Sequence, residues 1–188
     1  LPLRKFVVAH VGAMGITNAL ETFMACANAM KERSDVHFLT VGDGDLRSVY
    51  EQRYGNLPNL TMVPQVSKSD VPGVLAVCDL LYFSVFPSKV WRYGQSLNKL
   101  VDYMLAGKPV VASYNGFRSM IDEAGCGAYV PAGDVESLQC EILRYAEMPP
   151  AERLACGQRG RRWILENRPY SVLASQYERI LFSPATNA

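Results

Sequence analysis

The segment from Ser96 to Asp102 combines a helix start with charges that could bind an anion. Lys99 lies in the first turn of the predicted helix, and Asp102 follows one turn later. A cation in a first turn opposes the helix dipole and costs roughly a few tenths of a kcal/mol, unless an anion lies nearby. The N–H groups of Ser96, Leu97 and Asn98 could bind the same anion. We therefore predict an anion site containing Lys99, with Asp102 accepting hydrogen bonds from a ribose diol.

A second cation and a structural alternative belong to the same segment. Arg92 shortly precedes the predicted helix and could add to the positive charge of the anion site. In the alternative interpretation, Lys99 and Asp102 are solvated side chains on the outer face of a helix. The residue types alone leave both interpretations open.

The GAMG segment from Gly12 to Gly15 stands between a predicted strand and a predicted helix. Small residues at such a place allow backbone N–H groups to approach a phosphate or a sugar. Gly12, Met14 and Gly15 are therefore candidate ligand contacts. The segment lacks the third glycine of a GxGxxG motif and the lysine of a Walker motif. A plain tight turn explains it equally well.

The GDGD segment from Gly42 to Asp45 could bind a cation if further oxygen ligands were supplied. The next acidic residue, Glu51, lies within a predicted helix and not at the last position of an EF-hand loop. We therefore predict no metal site in this chain. Asp45 is interpreted as the N-cap of the helix that follows.

Strands and helices alternate along the sequence. Apolar runs predict strands at residues 6–11, 36–41, 60–63, 80–85, 109–112 and 128–130. Helical periodicity predicts helices at 17–30, 46–54, 68–77, 97–105, 120–124, 134–146, 148–167 and 171–182. This alternation predicts an α/β fold with a Rossmann-like, doubly wound parallel sheet. Ligands bind such sheets at the carboxyl ends of the strands. The candidate loops are 12–18, 42–45, 64–70 and 86–98.

Length and charge narrow the classes of protein. With 188 residues and 49% hydrophobic residues, the chain is expected to form one domain. Nineteen basic and eighteen acidic residues give a net charge of +1, which disfavours nucleic acid as a partner. No apolar run is long enough to span a bilayer. Because the first strand begins almost at once and no initiator Met precedes it, we expect a domain cut from a longer protein.

The cysteines and histidines are predicted to be structural. Neither a disulfide framework nor a CxxC metal motif fits the spacing of the five cysteines. We interpret them as reduced core residues of a cytoplasmic protein: Cys26, Cys78, Cys126, Cys140 and Cys156. His10 and His37 lie in or beside apolar strands, which favours burial over a catalytic pair or a zinc site.

Several segments, in order, resemble the carboxy-terminal domain of GT-B glycosyltransferases of the GT4 type. The resemblance runs through FVVAHVGAMGITNALETF, HFLTVGDGDLR, NLTMVPQVSKSDVPGVLAVCDLLYF, NKLVDYMLAGKPVVAS and GAYVPAGDVESL. It implies that residues 1–188 are the donor-binding half of a two-domain, retaining and metal-independent transferase. The amino-terminal acceptor domain would then lie outside this sequence. The NKLxDYMxAGKPV variant is most similar to bacterial enzymes that move N-acetylated deoxyhexosamines onto lipid-linked carriers for lipopolysaccharide or capsule.

The chain departs from the family at the residues expected to bind the donor. The family's arginine and lysine for the diphosphate fall at Ala13 and Asn18, so both cations are absent. Its paired glutamates fall at Gly94 and Asp102, and only the second position keeps a carboxylate. The resemblance therefore implies ribose binding by Asp102 but gives no carboxylate for the sugar. It also implies that Asn18 lies in the donor site.

Positive charge for the diphosphate must come from elsewhere if a donor binds here. Lys99, Arg92 and Lys89 are the nearest candidates in the sequence. By resemblance, the base lies near residues 64–67, where the backbone groups of Gln65 and Val66 read its edge.

The resemblance also implies the partners and the location. It implies a nucleotide-sugar donor, with UDP as the expected nucleotide, no cofactor, and a cytoplasmic protein acting at the inner face of the membrane. No nucleophile or general base can be assigned in this half. One alternative is a UDP-sugar 2-epimerase of the same architecture, using His10 and Glu21. Another is a non-catalytic Rossmann-like binding module, although the first strand lacks the acidic pair of a receiver domain.

Overall fold

One parallel sheet organises the computed structural model, which describes residues 5–95, 97–118 and 120–182. Within these residues the strand order is β3-β2-β1-β4-β5-β6. The strands are β1 (Phe6–Val11), β2 (Val36–Val41), β3 (Leu60–Val63), β4 (Leu80–Ser84), β5 (Val110–Ser113) and β6 (Gly127–Val130). Because β1 pairs with both β2 and β4, the strand order reverses between β1 and β4. A ligand crevice is expected at such a reversal.

Helices cover both faces of the sheet. They are α1 (Glu21–Ala29), α2 (Arg47–Tyr54), α3 (Val71–Ala76), α4 (Asn98–Leu105), α5 (Ile121–Ala124), α6 (Val135–Glu147), α7 (Pro150–Asn167) and α8 (Tyr170–Phe182). Two short 3₁₀ helices occupy Ile16–Asn18 and Lys89–Tyr93. The predicted Rossmann-like α/β fold is confirmed. No helix in the described part of the chain is long and apolar enough to cross a membrane.

Two apolar layers bury the sheet. One layer lies between the sheet and α3, α4 and α5, and it includes Val7, Ala9 and Val11 of β1. The other lies beneath α1, α2 and α6 and contains Val8 and Phe38. Burial on both faces explains why the strands are continuously apolar, as is usual in parallel sheets covered by helices.

Three local predictions need correction. The predicted helix at 17–30 is divided, because Ala19 adopts a left-handed conformation (φ 44°, ψ 47°) between the 3₁₀ helix and α1. Asp45 is not an N-cap: α2 begins at Arg47, and its cap position is Leu46. The helix predicted from residue 68 begins at Val71, so Lys68 lies in a loop.

The cysteine prediction is correct at four positions and wrong at one. All five cysteines are free, and Cys26, Cys78, Cys126 and Cys156 are buried. Cys140 is exposed. The reason is the helical period: Leu138, Ile142 and Tyr145 form the buried face of α6, and Cys140 lies on the opposite face.

Candidate functional site

A cleft of about 320 Å³ opens at the carboxyl ends of β1, β2 and β3. The beginnings of α3 and α4 close its other side. Its lining residues are Val11, Gly12, Ala13, Val41, Gly42, Asp43, Gln65, Val66, Lys68, Val71, Lys99 and Asp102. The candidate loops after β1, β2 and β3 therefore meet at one place, together with two charged residues of α4.

Backbone contacts between the loops after β1 and β2 build the floor of this cleft. Gly12 N–H donates to the Val41 carbonyl oxygen at 2.9 Å, and Met14 N–H donates to that of Asp43 at 2.8 Å. A Cβ placed at Gly42 would lie 2.0 Å from the carbonyl oxygen of Gly12, and Gly42 has φ +154°. Only glycine fits this position without moving the loops. Gly42, the first glycine of GDGD, therefore allows the two loops to pack closely.

Tyr103 fixes α4 against the end of β1. Its buried hydroxyl accepts the Val11 N–H at 2.8 Å and donates to the Val11 carbonyl oxygen at 3.0 Å. Lys99 precedes Tyr103 by one helical turn and therefore projects over the loop that follows β1. The sequence of α4 thus places the lysine at the cleft through a tyrosine on the same face.

Lys99 is half-buried and is not a fully solvated surface lysine. Its ammonium group donates a hydrogen bond to Asn18 Oδ1 and lies 3.4 Å from where a Gly12 Cβ would be. Burial lowers the pKa of Lys99 to about 8. Among the described residues no carboxylate forms an ion pair with it. A partly desolvated cation without a counter-ion is electrostatically unfavourable, and an anion at the cleft would relieve this cost.

His10 lies beneath Lys99 and is fully buried. Burial, followed by the nearby charge of Lys99, lowers the pKa of His10 to about 3, so its imidazole is neutral at ordinary pH. Its Nε2 atom lies 3.4 Å from the Ala13 carbonyl oxygen. His37 is also buried, and its Nε2 lies 2.8 Å from Thr61 Oγ1. Both histidines are structural in position, as the sequence predicts.

Asp102 lies exposed at the rim of the cleft. In the described part of the chain, its carboxylate has no hydrogen-bond or ion-pair partner. It is therefore available to accept hydrogen bonds from a ligand. Gln65 and Val66, after β3, line the same cleft as Asp102. The cleft thus brings together the two regions that the sequence assigns to a base and a ribose.

Other predicted site residues lie beside the cleft or away from it. Met14 is buried in the core, and its N–H and carbonyl groups are both used by the loop after β2. Gly15, Leu97 and Asn98 do not line the cleft, and Leu97 packs against the core. Arg92 is exposed, outside the cleft lining, with its guanidinium 6.0 Å from the Tyr93 ring centroid. Ser96 lies outside the described residues.

The position of the missing glutamate has an unusual backbone. Gly94 adopts φ 112° and ψ −176° at the end of the 3₁₀ helix Lys89–Tyr93. This conformation is strained for any residue with a side chain. A glutamate at position 94 would therefore be strained in the present backbone.

Lys68 and Asp43 line the cleft although sequence reasoning gave them no ligand role. Both belong to loops that follow strands, at 64–70 and 42–45. Their place in these loops was the only feature of the sequence that could have indicated a position at the cleft. The proposed epimerase pair is not assembled. Glu21 accepts a hydrogen bond from Tyr54 at 2.6 Å and forms an ion pair with Arg53. Neither Glu21 nor His10 lines the cleft.

Solved structures with the same fold include WaaG, HepE and the C-terminal domain of LpcC. WaaG, a glycosyltransferase involved in lipopolysaccharide biosynthesis, is 18% identical with a TM-score of 0.72, over 97% of this chain and 48% of WaaG. Anabaena HepE, solved with UDP-glucose, is 18% identical with a TM-score of 0.69, over 96% and 49% of the two chains. The C-terminal domain of the Francisella tularensis group 1 transferase LpcC is 11% identical with a TM-score of 0.70, over 88% and 87%.

These likenesses establish the fold as that of one GT-B domain. The chain spans about half the length of WaaG and of HepE. Among curated proteins, none matches this sequence. The profile described as "Glycosyl transferases group 1" matches residues 5–148. The chain therefore belongs to the group 1 family of glycosyl transferases.

Proposed function

We propose that the cleft binds the nucleotide diphosphate of a sugar donor, as the donor half of a retaining, metal-independent glycosyltransferase. The observation that carries this proposal is the Lys99 ammonium group, half-buried at the cleft without a carboxylate partner. Family membership supports the reaction class. The complex of HepE with UDP-glucose supports UDP as the nucleotide.

Lys99 supplies the charge that the loop after β1 lacks. A diphosphate bound beside Lys99 acts as the counter-ion of its ammonium group. The attraction between them is stronger than in bulk water, because the ammonium group is partly desolvated. When the glycosidic bond to the donor sugar breaks, negative charge grows on the leaving diphosphate. A fixed ammonium group stabilises that charge more than it stabilises the ground state. Lys99 thus contributes to binding and to the departure of the leaving group.

Asp102, Gln65 and Val66 orient the nucleoside. The Asp102 carboxylate accepts hydrogen bonds from the ribose hydroxyls, and the backbone groups of Gln65 and Val66 contact the base. Both regions line the same cleft as Lys99. The nucleotide then extends from the loop after β3 to the loop after β1, with its phosphates towards α4.

The sugar, the acceptor and the setting of the reaction follow from the resemblance. We assign an N-acetylated hexosamine or deoxyhexosamine as the transferred sugar, and a lipid-linked or lipopolysaccharide or capsule acceptor. The similarity to WaaG, a glycosyltransferase involved in lipopolysaccharide biosynthesis, supports the acceptor assignment alone. The acceptor binds to a further, amino-terminal domain of the same protein. The complete enzyme acts in the cytoplasm as a peripheral protein of the inner membrane face.

The test is calorimetry with UDP on Lys99→Ala. We expect the variant to lose about 1.5–3 kcal/mol of binding free energy, the scale of a charge-assisted hydrogen bond. Because the protonated amine binds phosphate, wild-type affinity should fall as the pH rises above about 8, and the variant should lack this dependence. Lys89→Ala is the matched control, since Lys89 is an exposed cation outside the cleft. Equal affinities of Lys99→Ala and wild type would refute the proposal.

The nucleotide is tested separately by thermal shift. UDP, GDP, ADP and CDP are compared at equal concentration, because a ligand that binds the folded state raises the melting temperature. We expect the largest rise with UDP. A larger rise with another nucleotide would overturn the assignment of UDP while leaving the role of Lys99 intact.

A further inference from the structure

Asn18 contacts the one lysine on which the proposed site depends. Its side-chain oxygen Oδ1 accepts a hydrogen bond from the Lys99 ammonium group, across 81 residues of sequence. Among the described residues, Asn18 is the only hydrogen-bond acceptor of that ammonium group. Asn18 therefore contacts the cation but does not line the space that a ligand would fill.

The backbone around Asn18 is fixed by the end of β4. The single Ser84 Oγ–H proton is shared between the carbonyl oxygens of Asn18 at 2.6 Å and of Ala19 at 3.2 Å. Phe86 N–H donates to the Thr17 carbonyl oxygen at 2.9 Å. The left-handed conformation of Ala19 is maintained by these contacts. The Asn18 side chain therefore starts from a backbone that cannot easily move.

A neutral partner is the electrostatically useful one for this lysine. An amide oxygen gives the ammonium group a charge-assisted hydrogen bond without cancelling its charge. A carboxylate at the same place would form an ion pair, which a ligand would have to compete with. An aliphatic side chain would leave the cation without a partner. Asn18 satisfies the hydrogen bond and preserves the charge.

The other charged and titratable groups near Lys99 do not neutralise it. His10 of β1 lies beneath it and is neutral, since its pKa is lowered to about 3. Asp43, Lys68 and Asp102 line the same cleft, from the loops after β2 and β3 and from α4. None of them forms an ion pair with Lys99 in the described structure. The amide of Asn18 is thus the direct partner of the cation.

We propose that Asn18 is a positioning residue, which holds the Lys99 ammonium group at the cleft while leaving its positive charge available to an anionic ligand. In so far as that ligand is a diphosphate, this inference rests on the proposed function. The geometry of the Asn18–Lys99 contact itself does not. Asn18 then acts through Lys99 and has no contact of its own with the donor.

The experiment titrates Lys99 by NMR in ligand-free protein labelled with ¹³C-lysine. Lys99→Met identifies the resonance. We expect Asn18→Asp to raise the pKa of Lys99 by about one to three pH units, the effect of an adjacent opposite charge, and Asn18→Leu to lower it. The two opposite directions distinguish a contact with the ammonium group from a general effect on the fold. Asn28→Asp, the same change at an exposed position of α1, should leave the titration unaltered.

A titration of Lys99 that is unchanged in Asn18→Asp would overturn the inference. Asn18→Asp is nearly isosteric, so the test survives if Asn18→Leu does not fold. UDP binding supplies the second readout: Asn18→Asp should weaken UDP at least tenfold although Lys99 is fully charged, and unchanged affinity would count against the inference. If Lys99→Met itself binds UDP normally, the proposed function fails, while the titration still decides whether Asn18 positions Lys99.

Discussion

The cleft and the loop at 86–95 lie at the same edge of the sheet but are stabilised in different ways. In the cleft, main chain meets main chain, and a glycine allows the loops after β1 and β2 to touch. In the loop, aromatic side chains form the links: Trp91 Nε1 donates to the Phe86 carbonyl oxygen, and Tyr114 hydroxyl donates to that of Trp91. The cleft is therefore rigid through its backbone, whereas the loop depends on the identity of two side chains.

The difference also separates two kinds of cation. Lys99 is half-buried and bound by Asn18, whereas Arg92 is exposed on the loop. The two residues are seven positions apart in the sequence, which predicts one anion pocket for both. Separation along the chain was a poor guide, since α4 begins between them and directs Lys99 towards β1. A charge held at a fixed position can stabilise a transition state without reorganising.

The largest expected effect tests the backbone contact. Gly42→Ala places a Cβ 2.0 Å from the Gly12 carbonyl oxygen at φ +154°, so the loops must separate. We expect a loss of roughly 3 kcal/mol or more in the free energy of unfolding, as for other severe strain. Urea denaturation measures it. Gly15→Ala is the control, because nothing lies within 4 Å of its Cβ; equal losses in the two variants would show that the close approach is unimportant.

Moving the lysine from α4 to the loop after β1 tests whether UDP binding depends on where the positive charge is attached. Asn18→Lys combined with Lys99→Met returns a lysine to the loop after β1 and removes the one from α4. We expect Lys99→Met alone to lose about 1.5–3 kcal/mol of UDP binding and the double variant to recover at least half of it. Calorimetry with UDP measures both. No recovery would mean that the site needs the ammonium group to arrive from α4.

The smallest effect belongs to the loop. Tyr114→Phe removes a hydroxyl whose single proton has two acceptors within reach, the carbonyl oxygens of Trp91 at 2.7 Å and of Phe117 at 3.1 Å. We expect a loss of about 1–2 kcal/mol in the free energy of unfolding, measured with urea, and UDP affinity within twofold of wild type. A strong loss of UDP affinity would contradict the separation of the two regions.

The sequence predicts the parts of this molecule that depend on local pattern. Continuous apolar runs and helical periods predict the sheet. The topology then directs attention to the loops that contain Gly12 and Gln65 and to the first turn of α4, where Lys99 lies. The first-turn position of Lys99 was a sufficient reason to suspect an anion site. These features depend only on residues that are close together in the sequence, so a single sequence is enough to predict them.

Contacts between distant residues were beyond such reasoning. The hydrogen bond between Lys99 and Asn18 joins two polar residues that have no local signal of pairing. The approach of Gly42 to Gly12 depends on how far two loops lie apart in space. Likewise, the left-handed Ala19 is maintained by Ser84, which belongs to β4. Tertiary structure decides each of these, and local propensity is silent on them.

The backbone conformation of Gly94 restricts which residues can occupy position 94. Its φ of 112° suits a residue without a side chain, and the resemblance aligns a glutamate there in other members of the family. Reintroducing that glutamate in one mutational step would meet backbone strain before the carboxylate could contribute anything to catalysis. A side chain at this position therefore requires the neighbouring turn to change its conformation. Substitutions in α4 do not meet this requirement, because its residues have helical backbone.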